Sequence, residues 1–500
     1  YQGSDSLYQS LQAQLPLSST DPADVRVSLA KTSCIGLSDQ GPGMLVNGQL
    51  IAKVDSQRCQ QIVQLIQQKQ PLSQWPTALF SLQSHIRQRG PLLNNTQAPG
   101  NSLLHCLQLP LDNAWQKLQD SGLRGRGGAG FPTARKWQLC RQTAANSRVI
   151  ICNADEGEPG TFKDRVLLSE APQLVIDGML IAAYLCDADR GFIYLRGEYR
   201  CLLTKLQNLL EQYRQAGLLG KNIYGLSGFN FDIDIHLGAG AYVCGEESAL
   251  IESLEGKPGI PRNRPPYPVN AGYQDLPTVV NNVETLANVS LLFASAATSD
   301  DSAAPASASA SKLLSLSGDC DYPGVYEVPL GTRIEQLLQI AGARDTQAVQ
   351  VGGAAGHLIP ASDFERQISF EDAATAGAVM IFNQQRSLLD IACNFAAFFV
   401  HESCGFCTPC RVGTQVQLNI LQRLQRGVGG AIDLQNLQQL ATLLQRSSHC
   451  GLGSSASWIS SSLLASFADQ LGHDPNHHEL APVFDIDTAL QAARTLAGHS

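Results

Sequence analysis

Three cysteines within seven residues are the strongest chemical signal in the sequence. Cys404, Cys407 and Cys410 have the spacing C-x2-C-x2-C, and Cys450 follows farther along the chain. Three thiolates on one tight turn can hold three corners of an iron–sulfur cubane, and a distant cysteine then supplies the fourth. Zinc sites usually draw paired ligands from two knuckles, so zinc fits this pattern less well, and inert buried thiols are the other alternative. The spacing therefore predicts a [4Fe–4S] cluster.

The glycine-rich segment at 123–131 is a candidate anion-binding loop. It contains G-x-G-x-x-G at Gly125, Gly127 and Gly130. Bare glycines let the backbone approach a ligand, and the helix predicted from Thr133 would offer free N–H groups to phosphate. The usual dinucleotide fingerprint also requires a preceding strand, but a helix is predicted there, so a merely flexible loop is the alternative.

Two further segments place polar residues directly after predicted strands. Residues 153–160, Asn-Ala-Asp-Glu-Gly-Glu-Pro-Gly, put three carboxylates where open α/β sheets bind their ligands. Carboxylates and amides suit hydroxyl and carboxamide groups better than phosphate, although a solvated acidic turn is the simpler interpretation. Residues 238–247 repeat the arrangement with glycines, Tyr242 and two glutamates, which are also expected as partners of a helix dipole.

The elements that must position these residues divide the chain into successive units. Apolar strands alternate with longer helical patterns before residue 293, which predicts a largely parallel sheet covered by helices. A short β-rich unit and a run of helical periodicity follow. The predicted units are a small α/β unit with a linker at 1–100, the α/β domain at 101–293, a low-complexity tether at 294–311, the β-rich unit at 312–385, a helical bundle at 386–475 and a tail at 476–500.

The composition excludes several classes of protein. Of 500 residues, 44% are hydrophobic and only 16% are charged, which excludes a mainly disordered chain. A net charge of −9 argues against broad binding of nucleic acid. No uncharged apolar run reaches the roughly 18–20 residues of a membrane helix, so we expect no direct membrane insertion. The 14 cysteines are mostly scattered singly, which indicates a reducing, cytoplasmic compartment.

Five segments, taken in order, resemble the flavin- and NADH-binding subunit shared by respiratory complex I, NAD-dependent formate dehydrogenases and NAD-reducing hydrogenases. They are GRGGAGFPTARKW, NADEGEPGTFKDR, GAGAYVCGEESAL, NNVETLA and ESCGFCTPCR. The segments KTSCIGLSDQGPGMLVNG and FDIDTALQAARTL look most like the diaphorase large subunit of the hydrogenases. The resemblance implies an α/β multi-domain chain: a partial thioredoxin-like N-terminal domain, a Rossmann-like FMN and NAD(H) domain, a ubiquitin-like β-grasp domain, and a C-terminal helical bundle with a [4Fe–4S] cluster.

The same resemblance implies roles for individual residues. Glu158 would face the nicotinamide as a positioning and electrostatic residue, because the hydride chemistry belongs to FMN. Cys404, Cys407, Cys410 and Cys450 would ligate the [4Fe–4S] cluster. The residues expected at NAD(H) are Phe131, Glu158, Glu247, Arg264 and Tyr267. The residues expected at FMN are Gly125, Arg126, Gly127, Gly128, Lys136, Asn153, Asp155, Glu156, Tyr242, Gly245, Glu246, Glu247, Asn281, Asn282 and Thr285.

The sequence departs from the family pattern at a few positions. Leu139 stands where related subunits often carry a second aromatic, and Arg264 and Tyr267 replace the commoner Lys and Phe with similar chemistry. The thioredoxin-like domain of the hydrogenase subunits can hold a [2Fe–2S] cluster on four cysteines. Here only Cys34 matches, and Ser38 stands where the C-x3-C pair would end. We therefore expect no [2Fe–2S] cluster on this chain and interpret 1–100 as a docking remnant.

The function implied is that of a diaphorase, which exchanges hydride between NAD(H) and FMN. Single electrons would pass through the [4Fe–4S] cluster to or from iron–sulfur and hydrogenase subunits in a hetero-oligomer. The equivalent subunit of a formate dehydrogenase or of complex I shares this chemistry and differs in its electron partner. A cofactor-free scaffold is the alternative of another class, but a scaffold has no need of the glycines and the four cysteines. NAD rather than NADP follows from the resemblance alone.

Overall fold

The computed structural model describes residues 3–15, 27–294, 310–471 and 491. The strands are β1 Met44–Val46, β2 Gln49–Ile51, β3 Ile86–Gln88, β4 Val149–Ala154, β5 Arg190–Leu195, β6 Asp232–Leu237, β7 Thr278–Asn282, β8 Ser311–Gly318, β9 Gly324–Pro329, β10 Thr346–Val351, β11 His357–Pro360 and β12 Ala378–Asn383. The α-helices are Ser4–Gln14, Ser56–Gln67, Asn101–Leu107, Leu111–Asp120, Thr133–Gln142, Lys163–Glu170, Pro172–Cys186, Leu203–Gln215, Glu247–Leu254, Val283–Leu292, Ile334–Ala341, Leu388–Glu402, Thr408–Gln425, Ala431–Ser447, Gly451–Ser455 and Trp458–Ser466.

The central domain is built on a four-stranded parallel sheet in the order β6-β5-β4-β7. Parallel pairing needs long crossover connections, which the helices between these strands supply. Alternate residues of β4 belong to two different apolar cores, so this strand is buried on both faces, as its unbroken apolar run requires. The predicted parallel sheet is therefore present. Its strand β7 was not identified from the sequence, and it ends in two of the predicted FMN residues, Asn281 and Asn282.

The chain after the acidic segment forms two helices, Lys163–Glu170 and Pro172–Cys186, that meet at 93°. Pro172 begins the second helix, where a missing N–H costs nothing, and it could not continue the first. No single helix in the described residues is long and apolar enough to cross a membrane. The bent pair passes the same test by length and composition only, and its second helix is almost entirely buried within the domain.

A second sheet of six strands has the order β11-β10-β12-β8-β9-β3 and packs against the helix Ile334–Ala341. Its edge strand β3 comes from the end of the N-terminal unit and pairs parallel with β9. Glu327 on β9 accepts hydrogen bonds from the backbone N–H groups of Gly90, Leu92 and Leu93 at 2.9–3.0 Å. The chain between the first two units is therefore fixed on this sheet, which we call the mixed-sheet domain (residues 311–383).

The C-terminal part is helical, as predicted. Its five helices from Leu388 to Ser466 pack around a common apolar core that includes Phe395, Phe399 and Leu421. The turn between the first two helices carries Cys404 and Cys407, and Gly405 there has a φ of 76°. Cys410 and Pro409 lie in the first turn of the next helix. Of the predicted tether, residues 295–309 lie outside the described residues, as does the predicted tail except for residue 491.

The N-terminal unit contains the hairpin β1–β2 and the helix Ser56–Gln67. Strands β1 and β2 are joined at Asn47 and Gly48, whose φ angles of 48° and 82° suit a tight hairpin turn. Ile35 and Leu37 belong to the same apolar core as the central domain. This unit therefore packs directly on the domain that carries the predicted flavin residues.

Candidate active site and iron–sulfur centre

A cavity of about 1010 Å³ lies beside the ends of β4 and β7. This volume is at the upper end of the range for small-molecule sites, as expected for a flavin nucleotide together with a dinucleotide. Of the residues predicted to bind cofactors, those that line the cavity are Gly125, Gly127, Phe131, Lys136, Asn153, Gly245, Glu246, Glu247, Arg264, Tyr267, Asn281, Asn282, Thr285 and Cys450. The structure thus brings together segments that are far apart in the sequence.

The glycine-rich loop is held by contacts rather than loose. The backbone N–H of Arg126 donates to Thr285 Oγ1 at 2.8 Å, which docks the loop on the helix that follows β7. A β-carbon at Gly127 would lie 3.1 Å from Asn282 Cβ, so a glycine allows this close approach. The buried Arg126 guanidinium lies 5.4 Å from the ring centre of Phe370 in the mixed-sheet domain. Gly128 also faces that domain rather than the cavity.

Two side chains of the helix Thr133–Gln142 shape the cavity wall. Lys136 Nζ donates to Glu247 Oε2 at 2.7 Å and to the carbonyl of Val280 at 2.9 Å. Trp137 Nε1 donates to Asn281 Oδ1 at 2.7 Å, so the amide NH2 is the group that Asn281 can offer to a ligand. Trp137 was not assigned a role from the sequence, although it is the last residue of the segment GRGGAGFPTARKW.

In the acidic segment, the Asp155 carboxylate has an oxygen that accepts no hydrogen bond. Asn153 links the tip of β4 to the neighbouring turn by donating to the carbonyl of Gly245 at 2.9 Å, and its Oδ1 accepts from the Asp155 N–H at 3.1 Å. Asp155 Oδ2 is buried and has no hydrogen-bond partner, and burial, opposed by Arg196, raises the pKa of Asp155 to about 7. A buried oxygen without a donor is unfavourable. Asp155 does not itself line the cavity, but its neighbours Asn153 and Gly245 do. A hydroxyl of the flavin's ribityl chain at this position would satisfy Oδ2, so these residues fit FMN.

Glu156 does not line the cavity, and its carboxylate is fully used within the protein. It accepts from Thr161 Oγ1, from the Tyr199 hydroxyl, and from the N–H groups of Asp164 and Arg165, at 2.8–3.1 Å. The last two are free N–H groups at the start of a helix. In this structure Glu156 therefore anchors a helix instead of presenting its carboxylate to a ligand.

Glu246 combines a structural contact with a place in the cavity wall. Its Oε2 accepts from the N–H groups of Ser248 and Ala249 at 3.0 Å and so caps the helix Glu247–Leu254. Its other oxygen pairs with Arg264, from the loop that also carries Tyr267. Glu246 therefore acts as a partner of the helix dipole, which was one of the two interpretations of this segment. It also connects the loop that carries Arg264 and Tyr267 to the cavity wall.

Glu158 and Tyr242 form a hydrogen-bonded pair next to the cavity but outside its lining. The Tyr242 hydroxyl donates to Glu158 Oε2 at 2.6 Å, and the Ala355 N–H donates to Oε1 at 3.0 Å. Burial, opposed by these donors, raises the pKa of Glu158 to about 7. The Tyr242 ring lies 5.0 Å from that of Phe398, on the helix that leads to the cysteine turn.

We expect Glu158→Gln to change NAD(H) kinetics while FMN stays bound. A carboxylate attracts the cationic ring of NAD⁺, so its loss should weaken product inhibition by NAD⁺ about fivefold, or ~1 kcal/mol. Because the wild-type group loses its proton near pH 7, NAD⁺ inhibition should strengthen as the pH rises through that value and should be flat in the variant. Steady-state kinetics and flavin content measure this. Unchanged kinetics would remove Glu158 from the site.

The four predicted cluster ligands lie near one another. Burial and the charges of the neighbouring cysteines Cys407, Cys450 and Cys404 raise the pKa of Cys410 to about 11. Ser403 Oγ lies 3.3 Å from Cys410 Sγ. In the described part of the chain, no group of three His, Cys, Asp or Glu side chains is arranged to hold a single metal ion. Thiolates gathered from one turn and one distant residue are the donor set of an iron–sulfur cluster.

One side of the cavity is closed by residues just before Cys450 that were not assigned from the sequence. Gln445, Ser448 and His449 line it together with Cys450. His449 Nε2 lies 3.0 Å from the carbonyl oxygen of Pro261. This contact connects the loop that carries Arg264 and Tyr267 to the cysteine region. The one sign of their role in the sequence was that they lie just before Cys450, the predicted fourth cluster ligand. The cavity therefore extends from the glycine-rich loop to a predicted cluster ligand.

Comparisons with known proteins bear on this arrangement. Three family models match: the Nuo51 FMN-binding domain at 118–291, the NADH-ubiquinone oxidoreductase-F iron-sulfur binding region at 390–474, and the thioredoxin-like [2Fe-2S] ferredoxin at 1–67. The alpha subunit of the NAD-reducing hydrogenase HoxS of Cupriavidus necator is 43% identical over 486 residues, 94% of this chain and 81% of the relative. An NADH-quinone oxidoreductase subunit of Escherichia coli is 41% identical over 345 residues, 67% of this chain and 77% of the relative.

A solved structure agrees with these relatives. A chain of NAD⁺-reducing [NiFe]-hydrogenase in the H2-reduced state matches with a TM-score of 0.88 and 42% identity, covering 100% of this chain and 87% of that chain. The fold and the site thus define an NAD(H)-dependent oxidoreductase subunit with a flavin domain and an iron–sulfur region. The chain belongs to the family that includes the alpha subunit of NAD-reducing hydrogenase and the corresponding subunits of NADH-quinone oxidoreductases. The predicted FMN and [4Fe–4S] cofactors are confirmed.

The thioredoxin-like match confirms the predicted kind of N-terminal domain, but its residues do not fit a [2Fe–2S] cluster. Residues 1–67 contain two cysteines, Cys34 and Cys59. Cys34 Sγ lies 3.4 Å from the hydroxyl of Ser38, which stands where the C-x3-C pair would end. Cys59 is buried in the helix Ser56–Gln67. The absence of this cluster stays a prediction.

Proposed function

We propose that this chain is the diaphorase subunit of an NAD-reducing hydrogenase. The cavity carries the proposal, because predicted flavin and nucleotide residues line it together with the predicted cluster ligand Cys450. The similarity to the hydrogenase relative extends over 94% of the chain, against 67% for the quinone oxidoreductase relative, which favours the hydrogenase assignment. The equivalent subunit of a formate dehydrogenase or of complex I is the alternative.

When bound, FMN supplies hydride exchange with the nicotinamide, and the [4Fe–4S] cluster supplies one-electron transfer. The protein's own residues bind and orient. The glycine-rich loop and Asn281 would hold the flavin, with Asp155 accepting from a flavin hydroxyl. Phe131 and Tyr267, whose rings are about half exposed at the cavity, would stack on the dinucleotide. No side chain has to act as acid or base for the hydride itself.

We also propose that the mixed-sheet domain is a ubiquitin-like β-grasp domain. Its strand order β9-β8-β12-β10-β11, with a parallel central pair and one helix between β9 and β10, supports this assignment. The proposed partners are iron–sulfur and hydrogenase subunits of a hetero-oligomer. A reducing cytoplasm is the proposed location, because all 14 cysteines are free and four are needed as cluster thiolates.

An absorption spectrum of the anaerobically purified full chain, before and after addition of NADH, tests the function. We expect a flavin band near ~450 nm and a broad iron–sulfur shoulder, both bleached by NADH. About four irons per chain, rather than about six, would support the absence of a [2Fe–2S] cluster. A colourless protein would contradict the enzyme assignment. Nickel in the purified assembly supports the hydrogenase, whereas molybdenum or tungsten indicates a formate dehydrogenase.

A further inference from the structure

A turn of the mixed-sheet domain reaches the predicted nicotinamide-facing carboxylate. The turn, Gly-Gly-Ala-Ala-Gly at 352–356, joins β10 to β11 and is called the glycine turn below. The N–H of Ala355 donates to Glu158 Oε1 at 3.0 Å, and the N–H of Ala354 is a second backbone donor to this carboxylate. With the Tyr242 hydroxyl on Oε2, the carboxylate is held by two separate parts of the chain.

The glycine turn is shaped by its approach to Glu158. Gly353 has a φ of 70°, and a β-carbon there would lie 2.4 Å from both Cγ and Oε1 of Glu158. Any side chain at 353 would therefore displace the carboxylate as well as strain the backbone. A side chain does not fit at Gly356 either, since a β-carbon there would lie 1.9 Å from the carbonyl oxygen of Val351.

Gln350 fixes the glycine turn from inside the domain. Its side chain is fully buried, and Nε2 donates to the carbonyl of Gly353 at 2.7 Å. Its Oε1 is buried without a hydrogen-bond partner. Burying a half-satisfied amide is unfavourable, so an apolar residue would suit this position better if only the core of the domain were at stake.

The two backbone donors matter because few other groups stabilise the ionised form of Glu158. Burial disfavours its ionised form, and the Tyr242 hydroxyl and the N–H groups of Ala355 and Ala354 oppose that effect. The groups whose charges raise the pKa of Tyr242, the side-chain partner of Glu158, are all acidic: Glu158 itself, Cys450 and Glu402, which also accepts from the Tyr242 N–H at 3.0 Å. No cationic side chain is among the groups that shift the pKa of Glu158 in the described structure. Backbone dipoles from the glycine turn therefore stabilise the carboxylate.

We propose that Gln350 and the glycine turn are positioning groups that stabilise the ionised form of Glu158 and hold its carboxylate in place, and so favour the cationic nicotinamide of NAD⁺ over the neutral ring of NADH. The inference rests on the proposed function, in which Glu158 faces the nicotinamide. It gives the mixed-sheet domain a part in setting the balance between product and substrate, although that domain contributes no residue to the lining of the main cavity.

The test compares Gln350→Met and Glu158→Gln, singly and combined, in the full chain. We expect Gln350→Met to raise the dissociation constant of NAD⁺, measured by equilibrium titration, and its inhibition constant several-fold relative to the KM for NADH, and to move the pH dependence of both to higher pH. Gln417→Met is the matched control: Gln417 is equally buried and donates to the carbonyl of Ala456 at 2.8 Å, in the helical part. It should leave the ratio unchanged. Gln350→Asn serves if the Met variant does not fold.

A double-mutant cycle decides whether Gln350 acts through Glu158. If it does, Gln350→Met should change nothing further in the Glu158→Gln background, because the two effects share one group. An undiminished effect there, or an equal effect of Gln417→Met, would overturn the inference. A wild-type protein that NADH does not reduce would instead contradict the proposed function. A wild-type protein that is reduced, beside a Gln350→Met variant that behaves identically, would sink this inference alone.

Discussion

A valine at Gly125 is expected to abolish FMN binding while the protein still folds. Gly125 lines the cavity, and the nearest atom to a β-carbon there would be the carbonyl oxygen of Phe131, at an ordinary contact distance of 3.6 Å. The two further methyl groups of valine would occupy space needed by the flavin. Overpacking of this size costs ~3 kcal/mol, so FMN affinity should fall at least about 100-fold. Flavin content after purification and fluorescence titration of the apoprotein measure the loss.

Gly125→Ala is the matched control, since its single methyl group makes only ordinary contacts with the loop. It should keep most of the flavin. Thermal unfolding of the two apoproteins separates a blocked site from a damaged fold, and we expect the two midpoints to agree. A valine variant with a full complement of FMN would show that the glycine-rich loop does not hold the flavin.

Local patterns in the sequence predicted most of the strands and helices and the [4Fe–4S] cluster, whereas FMN and NAD(H) were predicted from the family resemblance. The cysteine spacing, the glycine-rich loop and the strand–helix alternation each depend on residues within a short stretch of chain. Family membership and the two family models confirmed the cofactor predictions. Strand β7 was missed because Thr278–Asn282 is short and runs directly into the helix Val283–Leu292, so its apolar residues merge with the helical pattern.

Hydrogen-bond partners that are far apart in the sequence could not be predicted from local patterns. Glu156 stands among other acids in a segment predicted to hold the flavin. Its hydrogen bonds to Tyr199 and to a helix N-terminus depend on how β4 and β5 pair in the fold. The contact between Glu158 and Ala355 joins residues 197 positions apart. A glycine-rich turn in another domain gives no local sign of such a partner.

Cys450→Ser is expected to separate flavin chemistry from electron delivery. Cys450 is the one predicted ligand outside the 404–410 turn, and a serine hydroxyl is a poor substitute for a thiolate at an iron–sulfur cluster. Iron should fall from about four per chain to near zero. The flavin should remain and still be bleached by NADH, because the predicted FMN residues on the glycine-rich loop and on β4 and β7 are unchanged. The cluster's electron paramagnetic resonance signal should be lost.

Cys201→Ser is the control for this experiment. Cys201 lies in the central domain, apart from the four clustered thiols, so its variant should keep the full iron content and the NADH-induced cluster signal. A Cys450→Ser variant with full iron would mean that another residue supplies the fourth ligand. Loss of flavin along with iron would mean that the turn at Cys450 also holds the cavity wall, where Gln445 and His449 lie beside it. Only the loss of iron with retained flavin fits a chain in which the two centres are bound by separate residues around one cavity.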